Sequence, residues 1–277
     1  MKVKSFAKLN LNLYVSPPLV GGLHSLISIF QSIDLYDELI ITPSTERHSV
    51  IFENMDVPDQ NTCTKVFDLL KFKLKKYWSV KVIKRISDGA GLGGGSSNAA
   101  TLLVALNTLE SLQLSIDDMK TIAAQVGSDV PYFLYGGQAK VSGTGDIIQQ
   151  NVSYSDVSKF VLILPNIHCS TATVYQTLDQ LGKFDQLDNI NDQDLARVGV
   201  NRLSEAAFTI APNLSVLHHE ISYLVNGQVF LSGSGSTLFV PCRSEDEQYK
   251  INALLDDKLS DFNGDILMAD AVSFDQK

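Results

Sequence analysis

The residues best suited to chemistry lie in the run Asp88-Gly89-Ala90-Gly91-Leu92-Gly93-Gly94-Gly95-Ser96-Ser97-Asn98. Five of the seven residues from 89 to 95 are glycine, which marks a backbone built for close approach rather than for packing. Glycine tolerates φ > 0 and lets N–H groups reach a ligand. A helix starting directly after such a loop adds unpaired N–H donors and a partial positive charge. The combination suits an anion, phosphates above all. Ser96 and Ser97 can cap that helix and offer hydroxyls to phosphate or Mg2+. Three readings are open: a surface turn, a dinucleotide site, or a cradle for the phosphates of ATP. Gly89, Gly91 and Gly94 fit G-x-G-x-x-G, but that site also needs an acidic residue ending the next strand about 20 residues on. Glu110 falls near that distance but inside a helical pattern. A Walker-type P-loop is excluded because no lysine precedes the serines.

Other candidates are weaker alone. Asp129 sits between a helix stop at Gly127 and Pro131. It reads either as a turn aspartate or as a carboxylate placed to deprotonate a hydroxyl. Lys8 and Asn10 share the polar face of a strand, where a lysine is normally just solvated. Gly233-Ser234-Gly235 reads as a hairpin turn or as a second backbone cradle, Asn61 as a helix N-cap, and His24 as a loop histidine. The five histidines show no HExxH spacing, and the three cysteines are far apart with no CxxC pair. A zinc site and a disulfide framework are not expected, and a reducing cytoplasm fits.

The elements that must position these residues follow from periodicity. Ala7, Leu9, Leu11, Leu13 and Val15 alternate with Lys8, Asn10 and Asn12, which predicts a strand with Lys8 and Asn10 turned away from the core. Pro17, Pro18, Gly21 and Gly22 mark a loop. Strands are predicted at 38–42, 49–52, around Val80, Val82 and Ile86, and at 159–164. An amphipathic helix is predicted over 64–77, a second over 97–109, and a third from Ser115, where Ser115 and Asp118 resemble a capping box. Around 149–157 the chain turns polar and aperiodic, which suggests a domain boundary. Further strands are expected at 228–231, 237–240 and 265–268. Strands do not alternate strictly with helices, so the class expected is α+β.

Bulk composition sets the limits. The 277 residues suit one large domain or two modest ones, and 44% apolar content argues against disorder. A net charge of −9 disfavours nonspecific binding of nucleic acid or anionic membrane. No apolar run approaches 18 residues, and no signal peptide is expected.

Gly89 to Ala100 resembles the phosphate-binding motif of the GHMP kinases. Ala7-Lys8-Leu9-Asn10-Leu11 is similar to that family's opening motif, and Gly127-Ser128-Asp129-Val130-Pro131-Tyr132-Phe133 to its third block, followed by Gly136-Gly137 and Gly143-Thr144-Gly145-Asp146. Ser170-Thr171-Ala172, Val174-Tyr175, Asn201-Arg202-Leu203 and Leu231-Ser232-Gly233-Ser234-Gly235 continue the resemblance in order. Within the superfamily the chain is most similar to the branch that phosphorylates the 2-hydroxyl of 4-diphosphocytidyl-2-C-methyl-D-erythritol in non-mevalonate isoprenoid biosynthesis. The resemblance implies an α+β fold with an S5-like N-terminal domain, residues 1–152, and a ferredoxin-like C-terminal domain, residues 153–277. It implies ATP and Mg2+ as cofactors, a small-molecule alcohol as acceptor, and a cytoplasmic monomer or weak homodimer with no nucleic-acid or membrane partner. Lys8 and Asp129 become the catalytic pair. Asn61, Ser87, Asp88, Gly89, Ala90, Gly91, Leu92, Gly93, Gly94, Gly95, Ser96 and Ser97 become the nucleotide site. Asn10, His24, Thr171, Tyr175, Gly233, Ser234 and Gly235 become the acceptor site.

The chain departs from that pattern in places. Gly21-Gly22-Leu23-His24 stands where the family usually has Asp-Gly-Tyr-His, so the aromatic ring that stacks on cytosine is replaced by Leu23. Pro17-Pro18-Leu19-Val20 lacks the usual basic residue, and Ser87 replaces the usual proline before the glycines. Tyr175 is then the candidate for stacking. Alternatives are another GHMP acceptor (mevalonate, homoserine or a sugar) or a non-catalytic nucleotide-binding relative. A nicotinamide-dependent oxidoreductase is a remote third.

Overall fold

The computed structural model describes residues 1–53, 58–150 and 152–273. The chain begins with β1 (Lys2–Asn10), β2 (Tyr14–Pro18), β3 (His24–Ser44) and β4 (Ser49–Phe52). Then come α1 (Thr62–Leu70), β5 (Tyr77–Ile83), α2 (Gly94–Leu109), α3 (Ile116–Val126), β6 (Gln138–Gly143) and β7 (Ile147–Gln149). The second half holds β8 (Lys159–Pro165), α4 (Thr171–Leu181), α5 (Asp192–Leu195), α6 (Ser204–Ile210), α7 (Pro212–Leu224), β9 (Phe230–Leu231), β10 (Leu238–Cys242), α8 (Glu245–Lys258) and β11 (Gly264–Asp270). β1 to β7 make one seven-stranded sheet and β8 to β11 a four-stranded sheet in the order β11-β8-β10-β9. The α+β class is as expected. The sheets change over between Gln149 and Lys159, where the sequence turns polar; residue 151 of that stretch lies outside the described residues.

The 21-residue strand β3 organises the first sheet, pairing antiparallel with β1, β2, β5 and β6. Its N-terminal half carries no clean alternation, because Phe30, Gln31, Ser32 and Ile33 are all buried. Period-two reasoning therefore found only residues 38–42. Helices α1, α2 and α3 cover one face of the sheet, with Leu102, Leu103 and Leu106 of α2 packed on Leu39, Val80 and Val82. α2 approaches closely because Ala99, Ala100 and Ala105 present almost no side chain. The four-stranded sheet supplies Phe160, Leu162, Leu164 and Phe239 to a core shared with Ala7, Leu9, Ile29 and Ile33 of the first. A second shared core joins Phe30 and Val141 to Val161, Ile163 and Leu238.

Several boundaries differ from the sequence reading. The helix predicted over 64–77 stops at Leu70, and Tyr77 already opens β5; the lysines after Leu70 extended the apparent pattern without burying an apolar face. β2 runs through Pro17 and Pro18, β5 ends three residues before Ile86, and α2 starts at Gly94 instead of Ser97. The largest correction concerns β1. Lys8 and Asn10 do not face solvent: they are 3% and 4% exposed, as buried as the apolar side of the strand. Loops from both halves of the chain close over that polar face. Ser115 and Asp118 do form the expected capping box, and Asn61 caps α1.

The shared cores mean that the two sheets stabilise each other. Phe160 is fully buried, and Phe160→Ala should cost about 3–5 kcal/mol. Trp78, the sole tryptophan, lies in the other sheet. Its fluorescence should nevertheless report the lowered urea midpoint in one transition.

Candidate active site

A cleft of about 750 Å³ opens between the two halves of the chain. Of the residues expected to form a site, Asn61, Leu92, Ser97 and Gly235 do not line it; all the others do. One wall is the glycine loop and the start of α2. Gly93 is the N-cap in a left-handed conformation, φ +70°, with no side chain capping the helix. The first turn therefore consists of Gly94, Gly95 and Ser96, whose N–H groups precede the first helical bond, Ser97 N–H to the Gly93 carbonyl at 2.9 Å. Uncapped donors of this kind are what an anion-binding helix start requires. A Cβ on Gly93 would lie 2.7 Å from Phe133 Cζ and 3.3 Å from Lys8 Cε, so bulk there would push the lysine aside.

The remaining loop residues divide by role. Ser97 is not available to a ligand. Its hydroxyl donates to the Phe6 carbonyl (2.7 Å) and accepts from Ser5 (2.7 Å), riveting α2 to β1. The Leu92 side chain is in the core, while its carbonyl takes the Lys8 N–H at 3.0 Å. The Asn61 side-chain oxygen is already used by the N–H groups of Cys63 and Thr64. The neighbour Thr62 reaches the loop instead, donating to the Gly95 carbonyl at 2.7 Å. Glu110 accepts the Trp78 indole N–H at 2.8 Å inside the structure, which removes the acidic residue a dinucleotide site would need.

Facing the glycine loop are Lys8 and Asp129, Nζ to Oδ2 3.9 Å. Lys8 is brought by β1 and Asp129 by the turn between α3 and the short 3-10 helix Val130–Leu134. The Asp129 side chain makes no cap bond in that turn, so it is not there as a turn-former. The Lys8 ammonium donates to Asn10 Oδ1 and lies 4.7 Å above the ring centre of Phe30. Burial lowers its pKa below 10.5, against the opposing pull of Asp129. Tyr132 fixes the Asp129 segment by donating to the Gly137 carbonyl at 2.7 Å and meeting Ser32 Oγ at 2.8 Å. The late glycine loop closes the other side. Asn201 holds it through the carbonyls of Leu231 and Gly233, both at 2.8 Å, and Thr171 Oγ1 at the start of α4 meets Ser234 Oγ at 2.9 Å.

At the far end, His24 packs against Tyr175 with ring centroids 5.1 Å apart and against Phe184 at 6.0 Å. Its Nδ1 meets the Ser16 carbonyl at 2.8 Å. Nε2 lies 3.3 Å from Asp179 Oδ1 but out of line for a hydrogen bond, so it has no such partner among the described residues. Burial, reinforced by Asp129, pushes the Tyr175 phenol up. Leu23 lies on the rim, largely exposed.

Sequence reasoning missed the residue that holds the glycine-loop wall in place. Asp37 is fully buried and accepts from Lys84 Nζ (2.6 Å), Arg85 N–H (2.7 Å), Ile86 N–H (2.8 Å) and Asn98 Nδ2 (3.0 Å). An aspartate in a strand of mixed pattern gave no signal. Only its burial would have shown it.

An open helix start after a glycine loop, a buried lysine and the carboxylate beside it in one cleft have the form of a phosphotransferase of the GHMP type. Residues 61–137 match the model for the GHMP kinases N terminal domain. The chain is 35% identical to the 4-diphosphocytidyl-2-C-methyl-D-erythritol kinase of Thermotoga maritima, over 82% of this chain and 78% of that one. It is 33% identical to the chloroplastic 4-diphosphocytidyl-2-C-methyl-D-erythritol kinase of Arabidopsis thaliana over 86% of its own length, spanning 66% of the plant protein. A crystal structure of 4-(cytidine 5'-diphospho)-2C-methyl-D-erythritol kinase superposes with a TM-score of 0.78 at 26% identity, covering 99% of this chain and 100% of that one. The chain belongs to the 4-diphosphocytidyl-2-C-methyl-D-erythritol kinase family of GHMP kinases.

Removing the Asp37 carboxylate strands the Arg85 and Ile86 N–H groups and leaves the buried Lys84 ammonium only the half-exposed Asp88, 3.3 Å away. Asp37→Ala should cost about 3–5 kcal/mol in urea denaturation.

Proposed function

We propose that this protein transfers the γ-phosphoryl of ATP to the 2-hydroxyl of 4-diphosphocytidyl-2-C-methyl-D-erythritol. The observation that carries the reading is the Lys8–Asp129 pair, 3.9 Å apart, held opposite the open N–H groups at the start of α2. The α2 start binds the donor phosphates. The Asp129 carboxylate accepts the acceptor hydroxyl's proton as its oxygen bonds to the γ-phosphorus, and ADP departs. The Lys8 cation steadies the charge that spreads over the transferring group, which is the main demand of phosphoryl transfer. Asn10 orients Lys8. The late glycine loop and Thr171 lie where a diphosphate linkage would run, and His24 with Tyr175 and Phe184 forms an aromatic end suited to a pyrimidine base. Tyr175 there supports the reading that it takes over the stacking lost with Leu23.

Mg2+ enters this reading as an ion carried on the nucleotide. Among the described residues no group of three or more His, Cys, Asp or Glu side chains forms a metal nest. The oxygen donors at hand, Ser96 and Asp129, fit a hard cation held chiefly by phosphate oxygens. Its chemistry would be to neutralise charge on those oxygens. The nucleotide unit is proposed as residues 1–152 and the second unit as 153–277. No helix of the described residues is long and apolar enough to cross a membrane, and all three cysteines are buried thiols.

ADP release with Mg-ATP and the cytidine-linked acceptor tests the assignment. Asp129→Asn should lower kcat by about 10²- to 10⁴-fold while ATP affinity stays within a few-fold. Equal turnover by the variant would remove Asp129 as base, and turnover only with mevalonate, homoserine or a sugar would reassign the acceptor.

The buried lysine also sets a pH dependence. Its folded pKa is below 10.5, so the cation is lost as pH rises through a value lower than for an exposed lysine. The rate should fall on an alkaline limb centred below pH 10.5, and Lys8→Met should remove that limb along with most of the activity. By the same linkage, this site's contribution to stability improves as pH rises from the folded value to 10.5.

A further inference from the structure

Ser232 follows β9, in the half of the chain that supplies neither Lys8 nor the glycine loop. Its side chain is fully buried where three segments meet. Its Oγ accepts the N–H of Asn10 at 3.2 Å and donates to the carbonyl of Gly91 at 3.1 Å. Asn10 is the residue whose Oδ1 takes the Lys8 ammonium, and its Nδ2 donates to Ser28 Oγ at 3.0 Å. Gly91 lies inside the loop that leads into α2. One hydroxyl thus touches both the strand bearing Lys8 and the phosphate loop.

The contact leaves no room to slide. Gly91 has φ +75°, and a Cβ there would lie 2.1 Å from the Ser232 carbonyl oxygen. A parallel bond from Thr237 N–H to the Ala90 carbonyl at 3.1 Å makes a second stitch. These stitches act on carbonyls, which matters for the amides. In a trans peptide the C=O of one residue and the N–H of the next point in opposite directions. Pinning the Gly91 and Ala90 carbonyls to the Ser232–Thr237 segment therefore aims the Leu92 and Gly91 N–H groups away from it. Neither N–H has an acceptor among the described residues.

We propose that Ser232 is a positioning residue for phosphoryl transfer, its hydroxyl fixing, together with the Lys8 N–H to Leu92 carbonyl bond, the spacing between the donor-phosphate loop and the strand that carries Lys8. The proposal rests on reading the cleft as a phosphotransfer site. Loss of the hydroxyl leaves the Lys8 N–H to Leu92 carbonyl bond as the direct tie between the two segments and loosens them at Asn10 and Gly91, while each keeps its own groups. In-line transfer is sensitive to such a shift, because about 1 Å of misplacement costs roughly 10²-fold in rate.

The test compares wild type, Ser232→Ala and Ser232→Thr in two assays, transfer to the cytidine-linked acceptor and slow Mg-ATP hydrolysis with water as acceptor. Fluorescent-nucleotide displacement gives ATP affinity, and thermal melting reports folding. The expected result is a kcat for Ser232→Ala lower by about 10- to 100-fold in both assays, with ATP affinity within about threefold of wild type. Ser232→Thr, which keeps the hydroxyl, should recover kcat to within about fivefold. If the added methyl prevents that variant from folding, the split between kcat and affinity in Ser232→Ala decides alone. A Ser232→Ala kcat within twofold of wild type overturns the proposal. So does a loss of ATP affinity in step with kcat together with a collapsed melting temperature, which would make the residue merely structural. Absence of transfer by wild type would refute the acceptor assignment, and the hydrolysis comparison would still decide the role of Ser232.

Discussion

The glycine-loop wall of the cleft depends on one buried carboxylate. Asp37 has no access to solvent, and an unpaired charge in that position would cost several kcal/mol. It is offset by four donors from two further segments: the Lys84 ammonium, the consecutive N–H groups of Arg85 and Ile86, and the amide of Asn98. Those donors fix both ends of the glycine loop. Residues 84–86 are the chain entering it, and Asn98 is in the second turn of the helix leaving it. A loop rich in glycine has the most conformational entropy to lose on ordering. Tying both ends to a single point on β3 leaves little freedom to the residues between, so their N–H groups are in place before a ligand arrives.

The second constraint is the burial of a polar strand face. β1 presents Ala7 and Leu9 to a core shared with the other sheet, and Lys8 and Asn10 to the cleft. Both faces are buried, but for different reasons. The apolar face is covered because apolar area is better out of water. The polar face is covered because the glycine loop, Phe30 and the segment after β9 meet over it, and its groups are satisfied by one another. Asn10 is bonded through its side-chain oxygen, side-chain amide and backbone N–H to Lys8, Ser28 and Ser232. The low dielectric that makes Lys8 a weaker base than an exposed lysine also strengthens its interaction with Asp129 and with any developing phosphoryl charge.

Much of this was legible from residue types. The glycine run, its place between a strand and a helix, and the cap at Ser115 all depend on local backbone chemistry, and the structure agrees with each. Errors arose where a local signal was overridden by tertiary packing. Ser97 looked like a cap or phosphate ligand because serines favour helix starts, yet the helix begins three residues earlier and Ser97 faces β1. The lysines after Leu70 mimicked a polar helix face. β3 was found only in part because a strand buried on both faces has no alternation to detect.

Residue types and their order were enough for the chemical inventory: a glycine-rich loop, a lysine and an asparagine on one strand face, an aspartate after a helix stop, a second glycine loop, and the family these belong to. All of these rest on interactions between residues close in the chain, or on residue types few other sites require. The tertiary structure alone decided that Lys8 is buried, that Asp129 faces it, that Asp37 anchors the loop and that Ser232 joins the halves. The last three join residues from 47 to 222 positions apart. Hydrogen-bond partners at that separation are set by how sheets pack, and no local pattern of side chains records them.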